Sequence, residues 1–399
     1  MNAPTDAFLH DKLQALQAQA DEFIAVRRDI HKHPEMGYKE YRTSDLVAEQ
    51  LSAWGYQVTR GLGGTGVVGQ LQKGTGSRSI GIRADMDALP IDEATGLPYA
   101  SCNTGIMHAC GHDGHTAMLL AAAKHIAQKA EFSGTVNLIF QPAEEGLGGA
   151  KKMMEDGLFT QFPCDAVFGM HNMPGHPQGQ LVFRDGPAMA SSDNVTITIE
   201  GTGGHGALPH RAADPVVAGS AIVMGLQSIV SRNVDPQEMA IITVGAFNAG
   251  VANNVIPQHA TLKLSVRSLN REVRILLEQR ITELVNAQAI SYGVKAHIDY
   301  KRGYPVLVNH LRETDFARDV GEELVGAANV TRQGRALTGS EDFAFMLEEV
   351  PGCYLLIGNG DGSGDGHGAC MVHNPGYDFN DHNVAVGSAY WSLLVERFL

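Results

Sequence analysis

One short segment carries an unusual density of side chains that bind metals. His108, Cys110, His112, Asp113 and His115 lie within eight residues, separated by glycine and alanine. Thiolate and imidazole groups suit zinc and suit manganese less well. A lone Cys or His is most often a packing residue, but such a cluster in a glycine-broken loop favours a metal site.

Other candidate ligands come just after apolar stretches that predict strands. In parallel α/β sheets, functional groups gather at the carboxyl ends of strands, so separate segments can meet at one edge. A glutamate pair alone is typical of a solvated turn, and it is the convergence of segments that predicts a site. These candidates are Glu144 and Glu145 after 135–140, His171 after 166–170, and His373 after 353–357 and its loop.

Polar residues further along the chain allow two interpretations. His205 lies in a glycine-flanked loop, and Asn254 precedes a predicted strand that carries Arg267. By alternation, Arg267 shares the polar face of that strand with other hydrophilic side chains. The face is either an ordinary solvated sheet surface or a surface that closes over the metal edge.

The elements that must position these residues fall into two patterns. Strand and helix signals alternate up to about residue 188 and resume after 302, which predicts an α/β domain with a mostly parallel sheet. Between them, residues 189–301 show the order βαββαβ, the ferredoxin-like α+β unit. We therefore predict an α/β protein in which one domain, 1–188 and 302–399, is split by an inserted ferredoxin-like domain, 189–301.

Composition excludes several classes of function. The 399 residues carry a net charge of -14 and no long basic run, which argues against nucleic-acid binding. Five cysteines are too few and too scattered for a disulfide framework. No apolar stretch approaches the ~20 residues of a membrane-spanning helix. A cytoplasmic protein without a membrane or nucleic-acid partner is the expectation.

The motifs together resemble a known family. The sequence is similar to the M20 metallopeptidase superfamily, in particular its amidohydrolase branch of hippurate hydrolases, N-acyl-amino-acid amidohydrolases and auxin-conjugate hydrolases. The combination is far more specific than any one motif, and it implies that the split domain is catalytic and that the inserted domain is its lid and dimerisation domain. The matching segments include IRADMDALPI, HACGHDGH, FQPAEEG, GMHN, GGHGALPH, NNVIP and HNPGYDFND.

The resemblance implies a role for each candidate residue. Two divalent metal ions per subunit are expected, zinc or manganese first and cobalt or nickel as alternatives. Asp85 stands in a segment where most of the superfamily begins its site with His-x-Asp, and it is expected to orient a ligand histidine. The other implied roles are Cys110 as a bridging ligand, His112 and His171 on one ion, Glu145 and His373 on the other, Glu144 as general base, His205 as oxyanion donor, and Arg267 with Asn254 as substrate-binding residues.

The implied reaction is hydrolysis of an N-acyl-amino acid, a small molecule, to a carboxylic acid and a free amino acid. Two alternatives remain open: a dipeptidase or exopeptidase of the same superfamily, and a catalytically silent metal-binding protein. Glu144 beside a full ligand set disfavours the last, because binding alone needs no base. A homodimer or larger homo-oligomer through the lid is also implied.

Overall fold

The computed structural model describes residues 3–363 and 366–399. Its helices, in chain order, are α1 (Ala3–Lys32), α2 (Tyr41–Ala53), α3 (His112–Gln128), α4 (Gly149–Glu155), α5 (Leu158–Gln161), α6 (Pro215–Arg232), α7 (Arg271–Ser291), α8 (Leu311–Val325), α9 (Phe343–Glu349) and α10 (Asn383–Phe398).

The strands in the same described residues are β1 (Gln57–Leu62), β2 (Gly66–Lys73), β3 (Ser79–Asp85), β4 (Gly134–Gln141), β5 (Ala166–Met173), β6 (Leu181–Val182), β7 (Gly186–Met189), β8 (Ser191–Glu200), β9 (Gly204–His205), β10 (Ala240–Ala249), β11 (Val255–Ile256), β12 (His259–Ser268), β13 (Lys295–Arg302), β14 (Leu307–Asn309), β15 (Val330–Thr331) and β16 (Gly352–Gly358).

The chain divides into two compact units. The first consists of Met1–Gly186, Val308–Arg335 and Phe345–Leu399, and the second of Pro187–Leu307 and Ala336–Ala344. The segment Ala336–Ala344 therefore differs from the predicted boundaries, which place it in the catalytic domain. Backbone hydrogen bonds explain the difference, because Leu337 N–H donates to Ala188 O at 2.8 Å and Ala190 N–H donates to Leu337 O at 3.1 Å.

The first unit is built on one mixed sheet. Its strand order is β1-β2-β4-β3-β5-β16-β6-β15. The central strands β4, β3, β5 and β16 are parallel. Strand β2 pairs antiparallel with β1 and β4, and β6 pairs antiparallel with β16 but parallel with β15. Helices α1, α3 and α10 pack against one another, and α3 and α10 also contact β3. The predicted α/β fold with a mostly parallel sheet is confirmed.

Helix α3 is buried along most of its length because its sequence is apolar on nearly every side. Its small and aliphatic residues run from Ala117 to Ala123 and are all buried. A helix that is apolar all round is typical of a core position. The first turn of this helix carries His112 and Asp113, so the packing of α3 in the core fixes the positions of these two residues.

The second unit is an antiparallel sheet of order β10-β12-β8-β13 with α6 and α7 packed on it. The chain order β8-α6-β10-β12-α7-β13 is the predicted ferredoxin-like pattern. Both helices begin at a capping side chain: Asp214 accepts from Val216 N–H and Val217 N–H, and Asn270 accepts from Glu272 N–H.

Helix α6 is long and apolar enough to cross a membrane by length and composition alone. One such helix is weak support for a membrane span. Its buried residues Ala218, Ile222, Leu226 and Ile229 belong to the hydrophobic core of the second unit. This packing accounts for its apolar composition.

Candidate metal centre

The carboxyl ends of three neighbouring parallel strands bring acidic and imidazole side chains to one edge. Asp85 is the last residue of β3, and Glu144 and Glu145 lie just beyond the end of β4 at Gln141. His171 lies inside β5, near its end, rather than just after the strand as the sequence predicts. All four side chains therefore lie at the edge where such sheets carry their sites.

The loop before α3 makes a turn that only glycine permits. Gly111 has a φ of 87°, in the left-handed region. A Cβ on Gly111 would lie 2.3 Å from Asn172 Nδ2 and 2.4 Å from the Tyr377 hydroxyl. This turn places Cys110 and His112 on either side of Gly111 at the start of the buried helix.

His373 reaches the same place from a distant loop. Its φ is 65°, a left-handed conformation that is uncommon for a histidine. Its N–H donates to Ala109 O at 2.7 Å, which fixes the loop beside Cys110. The surrounding structure thus holds His373 in a backbone conformation that the residue would rarely adopt alone.

The five predicted ligands form two groups that share Cys110. The potential ligand atoms of Cys110, His112 and His171 lie within 4.8 Å of one another, and so do those of Cys110, Glu145 and His373. Cys110 Sγ is 3.2 Å from His171 Nε2. Glu145 Oε1 is 3.3 Å from His373 Nε2 and 4.0 Å from His112 Nε2. The structure therefore brings all five together.

His171 and His112 each use Nδ1 in a hydrogen bond outside the ligand cluster, which leaves Nε2 of each ring facing the other candidate ligands. His171 Nδ1 donates to Asn172 O at 2.5 Å. His112 Nδ1 donates to Asp87 Oδ1 at 3.1 Å, because a carboxylate only accepts. His112 Nε2 is buried and has no hydrogen-bond partner. Such an orphaned nitrogen beside thiol and carboxylate groups fits a metal ligand.

His115 is different, although it belongs to the same motif. Asn172 N–H and its side-chain amide both approach His115 Nε2 at 3.0 Å, so this nitrogen accepts. Its Nδ1 then carries the proton and donates to Asp85 Oδ1 at 2.6 Å. Both ring nitrogens are used, which leaves His115 no lone pair for a metal.

The charges of the cluster call for a cation. Burial raises the pKa of the Cys110 thiol well above its ordinary value, and the carboxylates of Glu145, Glu144 and Asp85 raise it further. Burial opposes protonation of His112, but Asp85 and Asp87 outweigh it and raise the pKa of this imidazole to about 10. Divalent cations would reverse both tendencies, because they stabilise thiolate and neutral imidazole as ligands. The donor set fits two metals.

Asp87 is a site residue that the sequence analysis missed. It accepts from His112 through Oδ1 and from Glu145 N–H at 2.9 Å through Oδ2, so one buried carboxylate holds two predicted ligands. The sequence feature that could have identified Asp87 is its position two residues after Asp85, just beyond the end of β3.

Asp85 has a different contact from the one expected. It does hydrogen-bond a histidine, but that histidine is His115, while its Oδ2 lies 3.7 Å from His112 Nε2. Buried Arg83 binds Asp85 Oδ2 at 2.7 Å and donates to Gln141 Oε1 at 2.8 Å. The hydrogen bond that orients His112 is accepted by Asp87 instead, on the opposite nitrogen of the ring.

The three candidate residues of the second unit are exposed or half-buried. His205 in β9 pairs with Val255 in β11, and Gly206 N–H donates to Asn254 O at 2.8 Å, so His205 and Asn254 belong to one local structure. Both are exposed. The Arg267 guanidinium, in β12, donates to Thr338 O at 3.1 Å. The roles expected for these three residues stay predictions.

Residues 81–397 match peptidase family M20/M25/M40. The chain is 46% identical over 378 residues to a hippurate hydrolase of Campylobacter jejuni subsp. jejuni, covering 95% of this chain and 97% of that one. It is 40% identical over 379 residues to an N-acetyl-L-cysteine deacetylase of Bacillus subtilis, covering 95% and 88%.

A solved structure is similar over its full length. It is that of a dinuclear metal-binding peptidase of the M20 family from Bacillus subtilis, with a TM-score of 0.81 and 32% identity, covering 95% of this chain and 98% of that one. The predicted resemblance and the predicted enzyme class are confirmed. The chain therefore belongs to peptidase family M20/M25/M40, and it is a metal-dependent hydrolase that acts on amide bonds.

Proposed function

We propose that the protein hydrolyses N-acyl-amino acids to a carboxylic acid and a free amino acid, with two divalent cations in the cluster around Cys110. The observation that supports this most directly is the pair of ligand groups that share Cys110. The hippurate hydrolase and the N-acetyl-L-cysteine deacetylase, both named for substrates of this class, support the choice of substrate.

The ligands divide between the two ions as the resemblance implies. Cys110 would be shared by the two ions, His112 and His171 would hold one of them, and Glu145 and His373 would hold the other. A thiolate with imidazole and carboxylate donors favours zinc or manganese, with cobalt or nickel as alternatives. Bound cations of this kind supply Lewis acidity, which polarises the scissile carbonyl and lowers the pKa of the attacking water.

Glu144 is the general base. Its carboxylate is buried and lies within 4.8 Å of the ligand atoms of His112 and Glu145. It takes the proton of the attacking water and delivers it to the leaving amine. The neighbouring Glu145 is a ligand, so adjacent glutamates have different tasks.

The inserted domain, 189–301, is the lid. His205 donates a hydrogen bond to the oxyanion as charge develops on the scissile carbonyl. Arg267 binds the α-carboxylate of the substrate through its planar guanidinium, and Asn254 is a second substrate-binding residue. The lid also forms the interface of a homodimer or larger homo-oligomer. Exposed apolar side chains on α6, such as Val217 and Met224, support the proposal of an interface there.

The protein works in the cytoplasm on small molecules, without a nucleic-acid or membrane partner. Its net charge of -14 supports the lack of nucleic-acid and anionic membrane partners, because a strongly acidic chain repels phosphate backbones and anionic lipid surfaces.

A substrate panel tests the proposal. N-acetyl, N-benzoyl and indole-acetyl amino acids are assayed beside simple dipeptides, each with zinc, manganese, cobalt and nickel. We expect the N-acyl-amino acids to give the highest kcat/KM. Faster turnover of dipeptides would replace the proposal with a peptidase function, and no turnover of any substrate with any metal would refute hydrolysis.

A further inference from the structure

The loop that carries Glu144 and Glu145 is held at two backbone N–H groups by two buried carboxylates. Glu145 N–H donates to Asp87 Oδ2 at 2.9 Å, and Ala143 N–H donates to Glu40 Oε1 at 2.8 Å. The two bonds lie on either side of Glu144. The backbone that presents the proposed base is thus fixed before and after it.

Ala143 needs such a restraint. Its φ is 55°, in the left-handed region that an alanine adopts only when its surroundings hold it there. The loop then closes tightly: Gly149 N–H donates to Ala143 O at 3.0 Å, and a Cβ on Gly149 would lie 1.7 Å from Pro142 O. Any relaxation of φ at Ala143 would turn the peptide planes that aim Glu144 and Glu145.

Glu40 is well placed to act on this loop. It is fully buried. One carboxylate oxygen accepts from Ala143, and the other accepts from the Thr65 hydroxyl. Glu40 stands at the N-cap of α2, yet its side chain makes no capping hydrogen bond there.

A different glutamate in the same segment stabilises that helix. Glu35 accepts from Arg42 N–H at 2.9 Å and from Thr43 N–H at 2.9 Å, both in the first turn of α2. Glu35 therefore serves the helix, and Glu40 serves the Ala143 turn. The chain offers two neighbouring glutamates with separable tasks.

We propose that Glu40 is a positioning residue for the reaction, acting through the Ala143 N–H to aim Glu144 at the water and Glu145 at the metal. The inference rests on the proposed function of these two glutamates. It adds to the catalytic machinery a residue that lies 103 positions before Ala143 in the chain. A search confined to the ligand motifs would not find this residue.

Four variants of the full-length, metal-loaded protein test this. Glu40→Ala removes the acceptor, and Glu40→Asp keeps the charge but shortens the reach. Glu40→Gln keeps a carbonyl oxygen for Ala143, while its amide can donate to the Thr65 hydroxyl. Glu35→Ala is the matched control, because it removes a cap of α2 and leaves the Ala143 hydrogen bond intact. The readouts are kcat and KM on N-benzoylglycine, retention of Mn²⁺ in equilibrium dialysis, and the thermal midpoint.

The positioning role predicts a kcat loss of roughly 10–100-fold for Glu40→Ala and Glu40→Asp, the size typical when a group that orients ligands is lost. KM changes little, and Mn²⁺ is retained less well because Glu145 is misplaced. Glu40→Gln keeps most of the wild-type kcat and most of the wild-type Mn²⁺ retention. Glu35→Ala lowers the thermal midpoint and leaves kcat and Mn²⁺ retention unchanged.

Two results would overturn the inference. One is a Glu40→Ala or Glu40→Asp variant with wild-type kcat and Mn²⁺ retention, and the other is a Glu35→Ala variant that matches the Glu40 variants in both. If Glu40→Ala does not fold, Glu40→Asp and Glu40→Gln decide the question. A wild-type protein inactive on every substrate would instead refute the proposed function, and Mn²⁺ retention would still test Glu40.

Discussion

The metal edge of the first unit and the polar loops of the second unit differ in how their chemistry-bearing residues are held. His112 and His171 are buried, and each has one ring nitrogen committed to a protein acceptor. His205 and Asn254 are exposed, and the hydrogen bonds around them are local to their own loops. Groups that bind resident cations work best when the fold already orients them, whereas groups that meet a passing substrate must remain accessible.

The comparison is sharpest for the glutamate pair, where the largest effect is expected. Glu144→Gln should lower kcat by about 10²–10⁴-fold, as for the loss of a general base, and leave the metal content nearly intact. Glu145→Gln should instead lower metal content. Elemental analysis and kcat on the same samples separate the two variants. Metal loss in Glu144→Gln with normal binding in Glu145→Gln would reverse the assignment.

The next effect concerns the exposed histidine. His205→Ala should lower kcat by about 10²–10³-fold, as when one oxyanion donor is removed, with unchanged metal content. Mixing this variant with Glu144→Gln shows which subunit supplies the histidine: recovery of activity on mixing places His205 in the partner's site. A His205→Ala variant with wild-type kcat would assign the loop to the solvated surface.

A smaller effect distinguishes the two aspartates at the end of β3. Asp87→Ala should weaken Mn²⁺ binding by about 10–100-fold, because it releases both the His112 ring and the Glu145 backbone. Asp85→Ala should weaken it less, since Asp85 hydrogen-bonds His115, whose two ring nitrogens are both used in hydrogen bonds within the protein. Equilibrium dialysis of both variants provides the measurement. A larger loss for Asp85 would mean that Asp85 itself approaches the metal.

Arg267 should give the most selective effect. Arg267→Ala should lower kcat/KM on N-acyl-amino acids by an amount equivalent to about 1.5–3 kcal/mol, the contribution of hydrogen bonds to a charged group. The matching amides and methyl esters should lose little, and Arg267→Lys should recover part of the loss. An unchanged ratio of acid to amide efficiency would remove Arg267 from the substrate site and leave its bond to Thr338 as its role.

Much of the candidate metal centre could be predicted from the sequence because its potential ligand types are rare and clustered. Cys110 and His112 stand two residues apart at the start of α3, and His171 follows from its place near the end of a strand. Asp87 could not be singled out, because its partner His112 is 25 residues away and only tertiary structure joins them. Ala143 gave no sign of its left-handed turn, since glycine is the residue usually found there.

The fold likewise has features that local sequence patterns predict and features that depend on contacts between distant segments. The central parallel strands and the βαββαβ unit follow from strong periodic patterns. The hairpin of β1 and β2 was missed because β1 is a mostly exposed edge strand with little alternation to detect. Ala336–Ala344 joins the second unit through backbone hydrogen bonds between distant segments, which no local pattern encodes.

The central claim is that two cations held through Cys110 are required for amide hydrolysis. The direct measurement is a titration of chelator-treated protein with Mn²⁺ or Zn²⁺, following bound metal and N-benzoylglycine hydrolysis in the same samples. We predict negligible hydrolysis without metal and a rise to a plateau as the content approaches two metals per chain, with Cys110→Ser failing to reach it. Full activity in a preparation that elemental analysis shows to be metal-free would contradict the account.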